Sequence, residues 1–310
     1  MSTARPTASN APVWRSLMYV PINVERFVDK AHTRGADVIQ LDLEDSVPPC
    51  EKAHARTLVE KVAPAVRKAG ADVVVRINRP IAMAVRDIEF SVVEGVDGLA
   101  ITKVDSASHL KLLDELVSEL ELERGIPVGK IRFIAMIETA ASFLQIGEIL
   151  SASPRIAAAN IGGEDFATDC NMEPLAETLL YPKQHMIIAA NAASVMPLGF
   201  ISSVADYSDM DAFAAMVERS RAFGFMGAGC IHPSQVAVVN KSYKPTAAEA
   251  SYARAVVDGY VQAQSEGRAS FAIEGKMIDI PVVERAERLL ARVSAVDARE
   301  ARMQAALRAI

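Results

Sequence analysis

Cysteine is scarce in this sequence: Cys50, Cys170 and Cys230 stand far apart, without the paired spacing of a zinc site. That argues against a disulfide framework and suits a reducing cytoplasm. Long apolar runs are missing too. No stretch reaches the roughly 18 residues of a membrane helix, and the opening MSTARPTASNAPVWRS lacks the apolar centre of a secretory leader. Positive charge is neither in excess nor clustered. With a formal net charge of −6, the chain offers no electrostatic footprint for nucleic acid or an anionic membrane surface, so a small-molecule partner is expected. Residues 1–13 read as a flexible tail.

What the chain has is apolar content, 51% over 310 residues, enough to bury a large core. Short β-rich segments alternate with longer amphipathic ones, the pattern of parallel strands joined by helical crossovers. Eight strand candidates follow in order: LMYV (17–20), VIQLD (38–42), VVVRI (73–77), GLAIT (98–102), RFIAMI (132–137), IAAANI (156–161), LGFIS (198–202) and MGAGCI (226–231). The helical stretches between them, such as EKAHARTLVEKVAPAVRKAG, close on a glycine that serves as a stop. Eight alternations spell a (β/α)8 TIM barrel over residues 14–245. The alternative is an open doubly wound sheet, but its phosphate fingerprint is absent: YVPINVERF, after the first strand, holds no glycine.

After the eighth strand the pattern changes. TAAEASYARAVVDGYVQAQSEG reads as another helix, and ASFAIEGKMIDIP as a hairpin turning at Glu274-Gly275 before a helix that Pro281 opens. Residues 246–310 are thus a C-terminal helical and hairpin extension. It is judged too short to bury its own core, so it must lie on its own barrel or on a neighbouring subunit.

Side chains alternate along a strand. In VIQLDLE, Ile39, Leu41 and Leu43 share the face that belongs under helices, leaving Gln40, Asp42 and Glu44 pointing inward. The same parity turns Arg76 and Glu138 inward. Glu44, Arg76, Lys103, Glu138 and Asp165 close five different strands, at the end where barrel enzymes keep their chemistry. The bland reading is a salt-bridge network around the rim. Against it stands the expectation that stability alone does not require charge at one end only.

Glu138 and Asp165 end consecutive strands about 4.8 Å apart, so their carboxylates repel unless a cation lies between them. A hard ion held by two carboxylates, its other positions left to water and substrate oxygens, describes a Mg2+ site. Gly162 and Gly163 give room for a ligand just before Asp165, although glycines after a strand are most often only a turn. Arg76 suits a planar carboxylate or a developing enolate oxygen. His232 closes the eighth strand and reads as a rim histidine held by a neighbouring backbone group. Trp14, the one tryptophan, packs the first segment of the barrel.

RSLMYVPIN, GADVIQLDLEDSV, VRIN, TKVDSA, IAMIETA, GGEDFATD, GAGCIHPSQVAVVN and GKMIDIP occur in the order and spacing of the citrate lyase beta subunit-like proteins of the HpcH/HpaI aldolase family. The resemblance spans about residues 14–290. It implies an Mg2+-dependent (β/α)8 carbon–carbon lyase acting on hydroxyacyl thioesters. Carried across by motif, Glu138 and Asp165 resemble the metal ligands. Arg76 resembles the arginine on the substrate carboxylate or thioester oxygen, and Glu44 an acidic residue of the site supported by Asp42 and Asp45. Tyr19, Arg26 and Lys30 fall where relatives contact coenzyme A. Asp279 resembles a general acid/base delivered by an adjacent subunit, which implies a homo-oligomer, a trimer or hexamer; by its position alone it also reads as a helix N-cap. Two departures stand out. Ile22 replaces the usual glycine of VPGN, and TKVDSA places Thr102 and Asp105 where PKVESA is common.

The expected activity is cleavage or formation of a 3-hydroxyacyl-CoA such as malyl-CoA or citramalyl-CoA, giving acetyl-CoA and a 2-oxo acid. Two alternatives remain: a malyl-CoA thioesterase, and a beta subunit of a multi-protein citrate lyase that takes its acyl group from an acyl carrier protein.

Overall fold

Eight parallel strands form in the computed structural model, which describes residues 12–202, 209–268 and 270–310. They are β1 (Ser16–Pro21), β2 (Val38–Asp42), β3 (Asp72–Ile77), β4 (Gly98–Ile101), β5 (Arg132–Ile137), β6 (Ile156–Ile161), β7 (Met196–Pro197) and β8 (Ala228–Cys230). Each of β1 to β7 pairs with the next, and β8 returns to pair with β1. Leu198 forms a parallel bridge with Gly227, and Met226 N–H donates to the Pro197 carbonyl at 3.0 Å. The sheet thereby closes into the expected barrel. Gly227 is obligatory at this seam, because a Cβ there would sit 1.9 Å from the Trp14 carbonyl oxygen.

The seventh strand departs from expectation. Strand geometry falls at Met196–Pro197, not over 198–202, and is only two residues long. Most of the tail expected at 1–13 lies outside the described residues.

The inward and outward parity holds. Ile39, Leu41, Val73, Val75, Leu99 and Phe133 face outward and pack with helix residues such as Val59, Ile88, Leu110 and Val117. Inside the barrel, Leu17, Val38, Val74, Ala100, Ile134, Met136 and Met196 form a second cluster, with Trp14 at its base. Trp14 donates its indole N–H to Asp72 at 2.8 Å.

Charge is not confined to one end of the barrel, contrary to expectation. At the N-terminal end Arg15 clasps Asp37 through two guanidinium nitrogens, at 2.8 and 3.0 Å. Arg155 bridges Asp114 and Glu121, and Glu121 also accepts the N–H groups of Gly129 and Ile131. Those carboxylates are well satisfied, as a stability face requires. The difference between the two ends is one of balance, not of presence.

The chain divides into two compact units, one comprising Trp14–Tyr243 with Met303–Ile310 and the other containing Lys244–Arg302. In the second, the helix Ala247–Ser265 opens on a capping box at Thr246 and Glu249. The strands β9 (Phe271–Ile273) and β10 (Lys276–Ile278) pair antiparallel around Glu274 and Gly275, both at positive φ. The helix Ile280–Arg308 follows. Contrary to expectation from its length, this segment buries a small core of its own, from Ala253, Val256, Ile278, Val283 and Ala286.

Candidate active site

A cavity of about 820 Å³ opens among the C-terminal ends of the strands. Tyr19, Asp42, Asp45, Arg76, Glu138 and Asp165 all line it. The inward residues of successive strands deliver them: Tyr19 from β1, Asp42 from β2, Arg76 from β3 and Met136 from β5, just ahead of Glu138. Deeper in, Leu17, Ile134, Met136 and Leu198 give the cavity an apolar wall.

Arg76 organises one side. Its Nε and Nη2 donate to the two Asp42 oxygens, both at 2.7 Å. Its Nη1 meets Glu44 at 2.9 Å and Asp45 at 3.2 Å. The guanidinium also lies over the Tyr19 ring, 5.1 Å from its centroid. Burial pushes the Asp42 carboxyl up, but the Arg76 hydrogen bonds and charge outweigh it and hold the group below the usual carboxylate range. Glu44 is raised instead: its burial dominates over the charge of Arg76. Burial raises the Tyr19 phenol as well, the charge of Arg76 only partly opposing it.

Lys103 joins the two sides. It adopts a left-handed backbone, φ 46°, which few non-glycine residues tolerate. Its N–H donates to Glu138 at 2.5 Å, while its ammonium lies 2.9 Å from Glu44 and 3.3 Å from Asp165. Glu138 itself is 3% exposed. Burial is the main force pushing it up to about 7; the Lys103 N–H opposes this and the Asp165 charge adds to it. Asp165, in the first turn of the helix Gly163–Asp169, is 41% exposed.

Five carboxylates, Asp42, Glu44, Asp45, Glu138 and Asp165, thus face two cations, Arg76 and Lys103. Among the described residues no group of three or more His, Cys, Asp or Glu side chains is placed to enclose a metal. The donor set is instead two carboxylates with an excess of negative charge, which fits Mg2+, an ion that keeps most of its waters or substrate oxygens. Gly162 makes room for this arrangement, since a Cβ there would lie 2.4 Å from Glu138 Oε1. One buried amide atom along the cavity, Asn160 Oδ1, has no hydrogen-bond partner among the described residues. Such an orphan suits a wall that receives a polar ligand.

Some expected residues lie elsewhere. Arg26 and Lys30 are exposed on the helix Glu25–Ala31, and Arg26 stacks on Phe27, 4.8 Å from its centroid. Phe27 and Arg34 reach the cavity wall from that segment; Arg26 and Lys30 are not among the lining residues. His232 lines the cavity and caps the helix Pro233–Ser242, its Nδ1 accepting the Ser234 N–H at 3.2 Å. Asp279 belongs to the other unit, directly before the helix Ile280–Arg308, where its carbonyl accepts the N–H groups of Val282 and Val283. Thr102 donates its hydroxyl to the Ile77 carbonyl at 2.9 Å, and Asp105 pairs with Arg79.

Residues 15–233 match the family model HpcH/HpaI aldolase/citrate lyase. The chain belongs to this family. It is 33% identical over 285 residues to citrate lyase subunit beta of Leuconostoc mesenteroides subsp. cremoris, covering 91% of this chain and 94% of that one. It is 28% identical over 296 residues to the L-malyl-CoA/beta-methylmalyl-CoA lyase of Rhodobacter capsulatus, covering 88% and 92%. Among solved structures, protein CitE from Mycobacterium tuberculosis in complex with magnesium, acetoacetate and coenzyme A superposes with TM-score 0.68 at 27% identity, covering 92% of this chain and 99% of that chain. The protein is therefore an enzyme, a lyase of this family. Among the described residues no helix is long and apolar enough to cross a membrane.

Proposed function

We propose that the chain is an Mg2+-dependent carbon–carbon lyase that cleaves or forms a 3-hydroxyacyl-CoA of the malyl-CoA or citramalyl-CoA type, releasing acetyl-CoA and a 2-oxo acid. The observation that carries this reading is the convergence of Glu138, Asp165 and Arg76 on one cavity with an apolar wall. The likeness to the Rhodobacter L-malyl-CoA/beta-methylmalyl-CoA lyase and to the CitE complex with magnesium, acetoacetate and coenzyme A supports it.

Glu138 and Asp165 would hold the Mg2+, which supplies Lewis-acid polarisation of substrate oxygens. Arg76 is fixed by Asp42, Glu44 and Asp45 before substrate arrives. Those contacts leave a second Nη2 hydrogen to receive charge developing on the thioester oxygen, so little reorganisation is needed. Lys103 holds Glu138 by its N–H and Glu44 by its ammonium, keeping the carboxylates apart. Tyr19 and Phe27 line the cavity on the side of β1, where the coenzyme would enter. Asp279 of a neighbouring subunit would exchange the proton at the enolate carbon, in a cytoplasmic trimer or hexamer.

The test is direct. Purified protein with Mg2+ should split malyl-CoA or citramalyl-CoA to acetyl-CoA and glyoxylate or pyruvate. A chelator should abolish this, and Glu138→Ala should lower kcat at least about 100-fold. Activity indifferent to both would overturn the metal role, and release of free CoA with malate would identify a thioesterase.

The Leuconostoc match favours a second reading, a subunit that works on an acyl carrier protein thioester. Copurification with partner subunits, together with inertness toward free CoA esters, would establish it.

A further inference from the structure

Lys183 lies in the interior of the helix Ala176–Ala192, one residue after Pro182, yet it is only 6% exposed. Lysines on helices normally run their ammonium out to water. This one shares a face with Leu179, Met186 and Ile187, all buried, and it lines the cavity together with Leu179. Its Nζ donates to the Ser202 carbonyl at 3.1 Å. Among the described residues no carboxylate lies within ion-pair distance of it, whereas Arg76 and Lys103 each meet at least two. Burial pushes the Lys183 amine down to about 8, with Glu164 partly opposing from a distance.

Among the described residues the ammonium is satisfied by a peptide oxygen alone, and a buried charge of that kind is costly unless a counter-ion joins it. The cavity is the direction from which one can come. The position of Lys183 says which part of a ligand it would meet. One turn before it, Leu179 packs on Gly163, with 3.1 Å between its Cδ1 and the place a Cβ on Gly163 would take. Gly163 opens the short helix that carries Asp165. Lys183 is therefore next to the carboxylate end of the cavity, between β6 and β7, and away from the β1 side where Phe27 and Arg34 stand.

We propose that Lys183 is a specificity-determining residue that pairs with a second carboxylate on the oxo-acid half of the substrate, so that the enzyme prefers dicarboxylic over monocarboxylic 2-oxo acids. This rests on the metal-assisted lyase reading above but moves the preferred substrate from malyl-CoA and citramalyl-CoA, which leave monocarboxylic acids, to a 3-hydroxyacyl thioester whose oxo-acid half carries a second carboxylate. A charge-assisted pair in such a site is worth about a 10- to 100-fold difference in affinity. An arginine would keep the charge, whereas methionine would keep the volume and lose it.

The experiment is calorimetric titration of the full-length, Mg2+-loaded protein with oxaloacetate and with pyruvate, for the parent chain, Lys183→Met and Lys183→Arg. The parent should favour oxaloacetate at least about 10-fold; K183M should lose that preference with pyruvate affinity unchanged, and K183R should retain it. Should K183M not fold, the parent alone decides: oxaloacetate, but not pyruvate, should protect Lys183 from reductive methylation, read by peptide mass spectrometry. An unchanged ratio in K183M, or equal protection by both acids, overturns the role of Lys183 and leaves the lyase reading standing. Failure of both acids to bind the parent overturns both.

Discussion

Gly162 and Glu138 claim the same volume: a methyl group at position 162 would stand 2.4 Å from Oε1 and 2.6 Å from Cγ of the glutamate. The glycine directly follows β6 and donates its N–H to the Ile137 carbonyl at 3.0 Å, so it cannot retreat without breaking that bond. Gly162→Ala should displace the Glu138 carboxylate. The expected outcome is an Mg2+ affinity lowered at least 10-fold, with a loss of stability of about 1–3 kcal/mol. Titration calorimetry and urea unfolding separate the two effects, and an alanine variant with parental Mg2+ affinity would contradict the assignment of Glu138.

The proton on Glu138 gives a pH prediction. Burial raises the group from 4.5 to about 7 in the folded, metal-free protein. Because the folded value is the higher, the folded state binds the extra proton. Its stabilising contribution is complete below pH 4.5 and is lost as pH rises through 7. Mg2+ needs the ionised form, so binding should expel close to one proton near pH 6 and almost none near pH 8. Calorimetry in buffers of different ionisation enthalpy counts that proton, and a count independent of pH would refute the shift.

Arg76 holds Asp42 by two parallel hydrogen bonds, a geometry that lysine does not reproduce. Arg76→Lys should therefore lower kcat about 10²- to 10³-fold with a smaller change in KM. Arg76→Met should go further and cost about 3–5 kcal/mol of stability, because Asp42 is left buried and uncompensated. Steady-state kinetics and thermal unfolding read these outcomes, and an Arg76→Lys enzyme of near-parental kcat would argue against enolate stabilisation.

If Asp279 serves a neighbouring subunit, Asp279→Ala and Glu138→Ala should each be inactive alone and regain activity once mixed and reassembled. Each defect would lie in a different chain of the same site. Absence of rescue in verified mixed oligomers would assign Asp279 to its own barrel or to the helix start it precedes.

The parts of the fold that were legible were those with a repeating signal. Alternation in VIQLDLE turned Ile39 and Leu41 to the helices and Asp42 to the interior, as found. The seventh strand was misplaced because MPLGFI is apolar throughout and offers no alternation, while Pro197 reads as a breaker. In the barrel Pro197 sits at a two-residue strand beside the closing seam and serves as an acceptor through its carbonyl. Asp42, Arg76 and Glu138 were legible because they lie at or just past strand ends, whereas Asp165, expected to close a strand, lies in the first turn of the helix Gly163–Asp169. Lys183 was not legible, since a lysine inside a helix reads as solvent-facing, and its burial follows from how that helix lies against β6 and β7. Arg26 and Lys30 lie exposed on their helix, outside the cavity lining. Helical spacing put them on one face, but nothing in that spacing told the outer face from the one that offers Phe27 to the cavity.

The join between Leu198 and Gly227 carries far less pairing than the six-residue strands across the barrel. Amide protons along β2 to β5 should outlast those around that join in exchange with deuterated solvent. The wall built on it, with Phe200, Ser202 and Lys183, is then the one free to breathe, while Glu138, held at the end of the well-paired β5, stays still. An enzyme made this way can admit acids of different length on its yielding side without disturbing the carboxylates that do the chemistry.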